Sequence, residues 1–351
     1  MTWKSGEEVR GGHQTYYMRT FFLHILRRFG QFVLVVFIGI NLTFLITHIS
    51  PIDPVEASVS AMTAFSSSQP VAVELMRKSL KELYGLQGTP FDQYIVFWKR
   101  ILVADFGPSL SAFPTPVSTL IGRALPWTVG LLLVATVLSW VLGNVIGGLA
   151  GYYRNSRFLK LVGVILMALN PVPYYIVAFI LLILFGYLWP ILPLSGAYNM
   201  NMQPGYRLDF ILSVVVHSLL PILSLVLVGI GGWFLGMRAL VSNIVTEDYV
   251  VYAELGGVSR TRILASYVMR NALMPQLTGL AIVLGSIFNG AIITEVVFGY
   301  PGLGRLLVSG VESGDYSLVL GVTTVSIITV STAVFLIDLL YPLLDPRIQA
   351  G

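Results

Sequence analysis

The sequence predicts an all-α membrane protein with six transmembrane helices and both termini cytoplasmic. Three observations carry this prediction. The first is composition: 56% of the 351 residues are hydrophobic and only 11% are charged, where a soluble domain carries about 25% charged residues. A core of this size has no room to hide so much apolar surface from water. The second is a set of runs with the roughly 20 apolar residues needed to cross about 30 Å of hydrocarbon. The third is the uneven placement of Lys and Arg among the loops that join them. The same composition excludes disordered, collagen-like and nucleic-acid-binding chains. The net charge of +4 comes from scattered residues, and the chain has no cysteine. Disulfides, thiolate metal sites and cysteine nucleophiles are therefore excluded.

The predicted spans are residues 29–49, 127–151, 161–188, 210–236, 277–298 and 318–340. The first is too long for a cleaved leader and has no small-x-small site close behind it. A tail, 1–28, precedes it, and its segment 16–28 reads as an amphipathic surface helix. Arg19, Arg27 and Arg28 lie before span 1, and Arg154, Arg157 and Lys160 join spans 2 and 3. Arg238, Arg260, Arg262 and Arg270 lie between spans 4 and 5, and Arg347 follows span 6. The opposite short loops carry only Arg207 and Arg305. These loops set the predicted orientation. Segment 50–126 is a small extracytoplasmic element whose part 71–106 reads as one or two helices, interrupted at Gly85–Pro90. Spans 2 to 6 form a core, 127–345, with a cytoplasmic excursion at 237–275 and a short tail, 346–351.

The chemistry of an enzyme is absent from the sequence. There is no phosphate-loop motif, and Gly-Lys does not occur. There is no zinc-protease motif and no serine elbow. The four histidines, His13, His24, His48 and His217, are dispersed without a ligand partner. Ser259, in Gly256-Gly257-Val258-Ser259, has a distant likeness to an intramembrane protease serine, but it lies outside the spans with no His beside it. No catalytic residue, metal or resident cofactor is expected. Glu295 and Asp338 are the carboxylates near the ends of spans 5 and 6, read as interfacial groups or partners of a neighbouring helix.

Three features shape the functional reading. Gly143, Gly147 and Gly151 in span 2, and Gly232 and Gly236 in span 4, have the spacing that lets helix backbones approach closely. Asn170-Pro171-Val172-Pro173 in span 3 removes helix hydrogen bonds in mid-membrane. A structural kink and a wall of a polar path fit that observation equally. Asn144 and Asn289 are further polar groups for such a path, and each alone suits an interhelical hydrogen bond. The third feature is the cytoplasmic excursion. Glu247, Asp248 and Tyr249 open a short helix, with acidic residues in the first turn where the helix dipole favours them. Gly256-Gly257 stops it. An amphipathic stretch, 260–271, leads into Leu273-Met274-Pro275 and span 5. Such a helix is suited to dock on a soluble partner; a solvated loop is the plainer alternative.

At this point the residues resemble a known family. Asp248-Tyr249, Ala253, Gly257-Val258-Ser259 and Arg270-Asn271-Ala272-Leu273-Met274-Pro275 resemble the cytoplasmic loop of ABC importer permeases. The nearest likeness is to the oligopeptide/dipeptide permease B-type subunits of the peptide, nickel and oligosaccharide importers. Ile25-Leu26-Arg27-Arg28, Asp105-Phe106-Gly107-Pro108-Ser109 and Pro193-Leu194-Ser195-Gly196 resemble further family elements in order. So do Glu295-Val296-Val297-Phe298-Gly299-Tyr300-Pro301-Gly302-Leu303-Gly304 and Asp338-Leu339-Leu340-Tyr341-Pro342-Leu343-Leu344-Asp345-Pro346-Arg347. The likeness runs from about Tyr17 to Arg347. Two departures stand out. The family's Glu-Ala-Ala is Val251-Tyr252-Ala253 here, and its Pro-Gly-Asp-Pro is Pro51-Ile52-Asp53-Pro54. Residues 1–16 lie outside the resemblance.

The resemblance implies a type I ABC importer permease in a bacterial inner membrane. It implies a second permease subunit, two ATPase subunits that bind the ATP, an extracytoplasmic solute-binding protein and surrounding membrane lipid. The permease itself is not an enzyme. Glu247, Asp248, Tyr249, Ala253, Glu254, Gly257 and Arg260 would couple to the ATPase. Asn144, Asn170, Pro171, Pro173 and Asn289 would line the translocation pathway. Segments 50–126 and 299–315 would receive the binding protein. Cargo is expected to be short peptides or oligosaccharides, with peptides slightly favoured. The alternative is a stand-alone gradient-driven transporter or channel.

Overall fold

In a computed structural model of the protein, the described residues are 5–49, 55, 56, 59, 70–83, 85–285 and 292–344. Among them every regular element is helical. Helix α1, Ser5–Ile49, carries the first apolar segment. The predicted surface helix 16–28 continues into it without a break. Two shorter helices follow, α2 (Pro70–Leu83) and α3 (Pro90–Leu102), separated by Gly85 and Gly88, both at positive φ. A capping box starts α3: the Asp92 amide donates to Thr89 Oγ1, and the Thr89 amide donates to Asp92 Oδ2 at 2.9 Å. The hydroxyl and amide of Thr89 hold the Asp92 carboxyl below its ordinary pKa.

Then come α4 (Val117–Tyr152), α5 (Arg157–Leu169) and α6 (Tyr174–Leu181), which continues as a π-helical stretch, Leu182–Leu188. Helix α7 is Leu208–Ile244 and α8 is Asp248–Leu255. A turn, Arg260–Arg262, passes through a second π-helical stretch, Ile263–Met269, into α9, Arg270–Gly285. The chain ends in α10 (Ile292–Val297), α11 (Leu303–Glu312) and α12 (Tyr316–Leu344).

Among the described residues, four helices are long and apolar enough to cross a membrane: Ile25–Ile46 within α1, then α4, α7 and Tyr316–Leu339 within α12. A bent pair, Arg157–Leu169 with Tyr174–Leu188, makes five if it counts as one span. The predicted span 277–298 includes residues outside the described ones, and α9 and α10 flank them.

One predicted kink is a sharp bend, and one predicted helix runs further than its apolar run. Residues 161–188 do not form one straight helix; the chain bends by 107° between α5 and α6. Pro171 and Pro173 donate no backbone hydrogen bond, and the Val172 amide turns back to Leu169 O at 3.0 Å instead. Helix α7 also passes the predicted end at 236. Its 37 residues span about 55 Å, well beyond the roughly 30 Å of hydrocarbon. Residues 237–244 of the predicted excursion are thus a rigid extension of the span.

The helix pair α4–α7 is the spine of the bundle. Gly143, Gly147 and Gly151 lie on one face of α4, against Ile230–Val241 of α7. A β-carbon on Gly147 would come within 2.5 Å of Phe234 O, and one on Gly151 within 2.9 Å of Arg238 O. On α7 the close approach falls one residue from the expected motif. Gly231, rather than Gly232, meets α5, where a β-carbon would stand 2.7 Å from Leu166 O. Helices α1 and α12 pair antiparallel. Phe32 packs on Phe335, Gly39 faces Ile327, and Arg28 pairs with Asp338 at 3.2 Å.

Candidate functional site

Helix α8 is held by its apolar side. Val250 and Ala253, three residues apart and so on one helical face, are buried against Met237 and Val241 of α7 and against Ile263, Val268 and Ala272. Its start needs no side-chain cap: Glu247 is extended, and Asp248 sits in the first turn. Its end is a Schellman motif. The Val258 amide donates to Ala253 O at 3.1 Å and the Gly257 amide to Glu254 O at 3.0 Å. Gly257 takes φ +74°, and a β-carbon there would meet nothing within 4 Å. Glycine is therefore required at 257 by conformation, not by space.

The opposite face of α8 is open. Tyr252 is 72% exposed and Leu255 80% exposed. Val251 and Tyr249 lie beside them, with Glu247, Asp248, Glu254, Gly257 and Arg260 also exposed. Ala253 is the one residue of the predicted coupling set that is buried. Among the described residues no ion pair engages Glu247, Asp248, Glu254 or Arg260. The outer surface thus presents apolar and charged groups side by side. Two hydrogen bonds tie the element to the bundle: Asn271 Nδ2 donates to Tyr249 Oη at 3.0 Å, and Tyr152 Oη donates to the Arg260 carbonyl at 3.3 Å.

A second pair of sites lies elsewhere in the bundle. Glu295, in α10, is fully buried. Its Oε1 accepts from Thr128 Oγ1 of α4 at 2.6 Å. Its Oε2 accepts from the amides of Gly304 at 2.7 Å and Arg305 at 3.2 Å. Thr128 Oγ1 in turn accepts from the Leu303 amide at 2.8 Å. One carboxylate therefore caps α11 and joins it to α4 and α10. Gly302 and Gly304 leave room for it, since a β-carbon on either would collide with the carboxylate or with Ile292. Asp315 repeats the device at the start of α12. Its Oδ1 accepts from the Leu318 amide at 3.1 Å. Its Oδ2 accepts from Ser109 Oγ at 2.5 Å, Ser111 Oγ at 3.0 Å and the Ser111 amide at 3.0 Å. The segment Asp105–Ser109 is thereby tied to α12.

Of the five predicted pathway residues, four are among the described residues, and they differ in exposure. Asn144 is buried and donates to Trp140 O at 2.7 Å, while its Oδ1 is buried without a partner. Asn170, Pro171 and Pro173 are exposed at the bend between α5 and α6, with Asn170 against Gly231. Asn289 lies outside the described residues. A cavity of about 430 Å³ opens elsewhere, between α1, α12 and the Glu295 knot, and Thr128, Thr323, Ser326 and Ser331 supply its polar lining.

Residues 143–350 match the family model described as binding-protein-dependent transport system inner membrane component. The chain belongs to this family. Whole-length relatives agree with the match. The dipeptide transport system permease protein DppB of Bacillus subtilis is 28% identical over 93% of this chain and 97% of its own. The oligopeptide transport system permease protein OppB of Haemophilus influenzae is 28% identical over 93% and 98%. The dipeptide permease DppB of Escherichia coli strain K12 is 29% identical over 93% and 98%. This permease is accordingly a multi-pass protein of a bacterial inner membrane, and a transport subunit rather than an enzyme.

Sequence reading missed several groups that shape the permease. Thr128 and Ser111 carry no motif signal. Asp315 follows Ser313-Gly314, an ordinary turn, and its partners are about 200 residues away in the chain. Tyr152 falls just past the predicted span 127–151 and carries no motif signal.

Proposed function

We propose that the chain is one of two membrane subunits of an ATP-driven, binding-protein-dependent importer of short peptides. It forms half of the translocation pathway and has six spans with both termini cytoplasmic, in the type I importer arrangement. The observation that carries this reading is α8. A short helix fixed to the extended end of α7 by one apolar face offers Tyr252, Leu255, Glu254 and Arg260 outward. That is the construction of a docking element: the inner face transmits movement to α7, and the outer face accepts a soluble partner. The chain has no phosphate loop, so the partner is the ATPase. The Lys and Arg bias puts this element on the cytoplasmic side. Closure of the ATPase dimer moves α8, and α7 carries the movement to α4 through their glycine contacts.

Relatives named for dipeptide and oligopeptide transport favour peptide cargo over oligosaccharide. The delivering protein meets the face that includes segment 50–126 and residues 299–315, which the Asp315 knot ties together. The test is purification of the tagged chain in mild detergent with identification of what accompanies it. A second permease and Walker-motif ATPases are expected. Recovery of the chain alone, active in liposomes without ATP, would establish a gradient-driven carrier instead. Gly257→Val at normal membrane abundance should abolish peptide uptake; uptake that survives it removes α8 from the coupling role.

A further inference from the structure

Helix α3 lies outside the predicted spans, in the segment that topology assigns to water. Its contacts are those of a membrane element. Trp98 stacks on Phe37 of α1 with ring centroids 5.6 Å apart. Tyr94 and Phe97 pack on Phe44 at 5.2 and 5.0 Å, and Tyr94 Oη donates to Asn41 Oδ1 at 2.7 Å. All three positions on α1 belong to its apolar segment Ile25–Ile46. Phe37 lies nine residues before the end of that segment, or about 13 Å along the helix axis. The aromatic face of α3 therefore reaches into the depth of the bilayer that α1 crosses.

The face of α3 that α1 leaves uncovered is apolar as well. Phe91, Ile95 and Leu102 recur at helical spacing and are exposed. On α1, the neighbouring Ile38, Leu42, Leu45 and Ile46 are exposed too. The two surfaces run together. Two exposed charges of α3, Asp92 and Lys99, flank the stripe on one side, and Arg100 is paired. Arg100 Nε pairs with Asp105 at 3.1 Å, and Arg100 Nη1 donates to Leu83 O at 2.9 Å. Lys99, at the edge, has the long stem that lets an ammonium reach the headgroups. An amphipathic helix with Trp and Tyr beside a span is the composition of an interfacial segment.

We propose that α3 lies in the membrane interface at the C-terminal end of α1, with Phe91, Ile95 and Leu102 covered by lipid acyl chains rather than by water or a delivering protein. This inference rests on the membrane placement of α1 and does not depend on the importer reading. The absence of cysteine makes a direct test simple. Phe91→Cys, Ile95→Cys and Leu102→Cys are spin-labelled in the full chain, reconstituted with its co-purifying subunits in phosphatidylethanolamine–phosphatidylglycerol vesicles, without added binding protein. Collision with oxygen and with a water-soluble nickel chelate is measured for each. Ser79→Cys, exposed on α2, is the water reference, and Leu133→Cys, exposed on α4, is the lipid reference. The expected result is an oxygen-to-nickel ratio at 95 and 102 several-fold above that at 79 and close to that at 133. A ratio like that at 79 overturns the proposal and leaves the stripe for a soluble partner. Low collision with both probes also overturns it, because a protein subunit then covers the face. Should Phe91→Cys not insert, the labels at 95 and 102 carry the same reading.

Discussion

Helix α8 and the two buried carboxylates solve the same local problem, a short helix end that must be fixed in place, by opposite means. At Glu295 and Asp315 the fixing groups are carboxyl groups with several hydrogen-bond partners each, removed from water. At α8 the fixing is apolar packing on one side, closed by a glycine turn, and the charged side chains stay on the surface unpaired. A buried, multiply bonded carboxylate tolerates little displacement, because each broken bond leaves an unpaired polar group. An apolar face is non-directional and leaves the outward side free for contact. One region is built to hold a shape, and the other leaves one side open.

Four tests sharpen or break that contrast, and their expected effects on stability decrease in order. Glu295→Ala leaves Thr128 Oγ1 and two amides without an acceptor, at about 1–3 kcal/mol for each buried group. A loss of about 3 kcal/mol or more is expected, read as a lowered thermal midpoint in detergent. An unchanged midpoint would mean that the knot does not fix α11. Asp315→Ala frees Ser109 and Ser111 and should cost about 2 kcal/mol. Its distinctive sign is faster protease cleavage between 105 and 116; equal cleavage in both proteins would count against the tie to α12.

Gly257→Ala forces a side chain into the left-handed region and should cost about 1–2 kcal/mol, with Gly257→Asn milder. Amide exchange over 248–258 is the measurement, and similar exchange in alanine, asparagine and parent proteins would remove the Schellman turn from the account. The paired change Tyr252→Ala with Leu255→Ala should alter stability by no more than about 0.5 kcal/mol, as expected for exposed positions. In the assembled transporter the same pair should uncouple ATP hydrolysis from uptake. A large stability loss with normal coupling would reverse the distinction between the two regions.

Much of the surface helix α8 was legible in the chain. Asp248 in a first turn and Gly256-Gly257 are local signals, and the helix stands where they put it. The carboxylate knots were only half legible. Glu295 stood out as a charge near the end of a span, but its purpose depends on Thr128, far away in the chain, and on the amides of α11. Asp315 was invisible for the same reason. Asn144, Asn170 and the two prolines have no local relation that places them on a common surface, and the bundle keeps Asn144 inside while leaving Asn170 exposed at a bend.

The sequence by itself determined the solvent of this protein, the approximate places of its long helices and the site of its surface helix. Those follow from hydropathy, charge bias and turn chemistry, which act over a few residues. Only the tertiary structure decided which glycine on α7 meets α5, which carboxylate caps which helix and how far α7 runs beyond its apolar run. It also decided that α3, unremarkable in the sequence, lies against the apolar length of α1. Each of these depends on residues far apart in the chain, where packing and the satisfaction of buried polar groups select the partner.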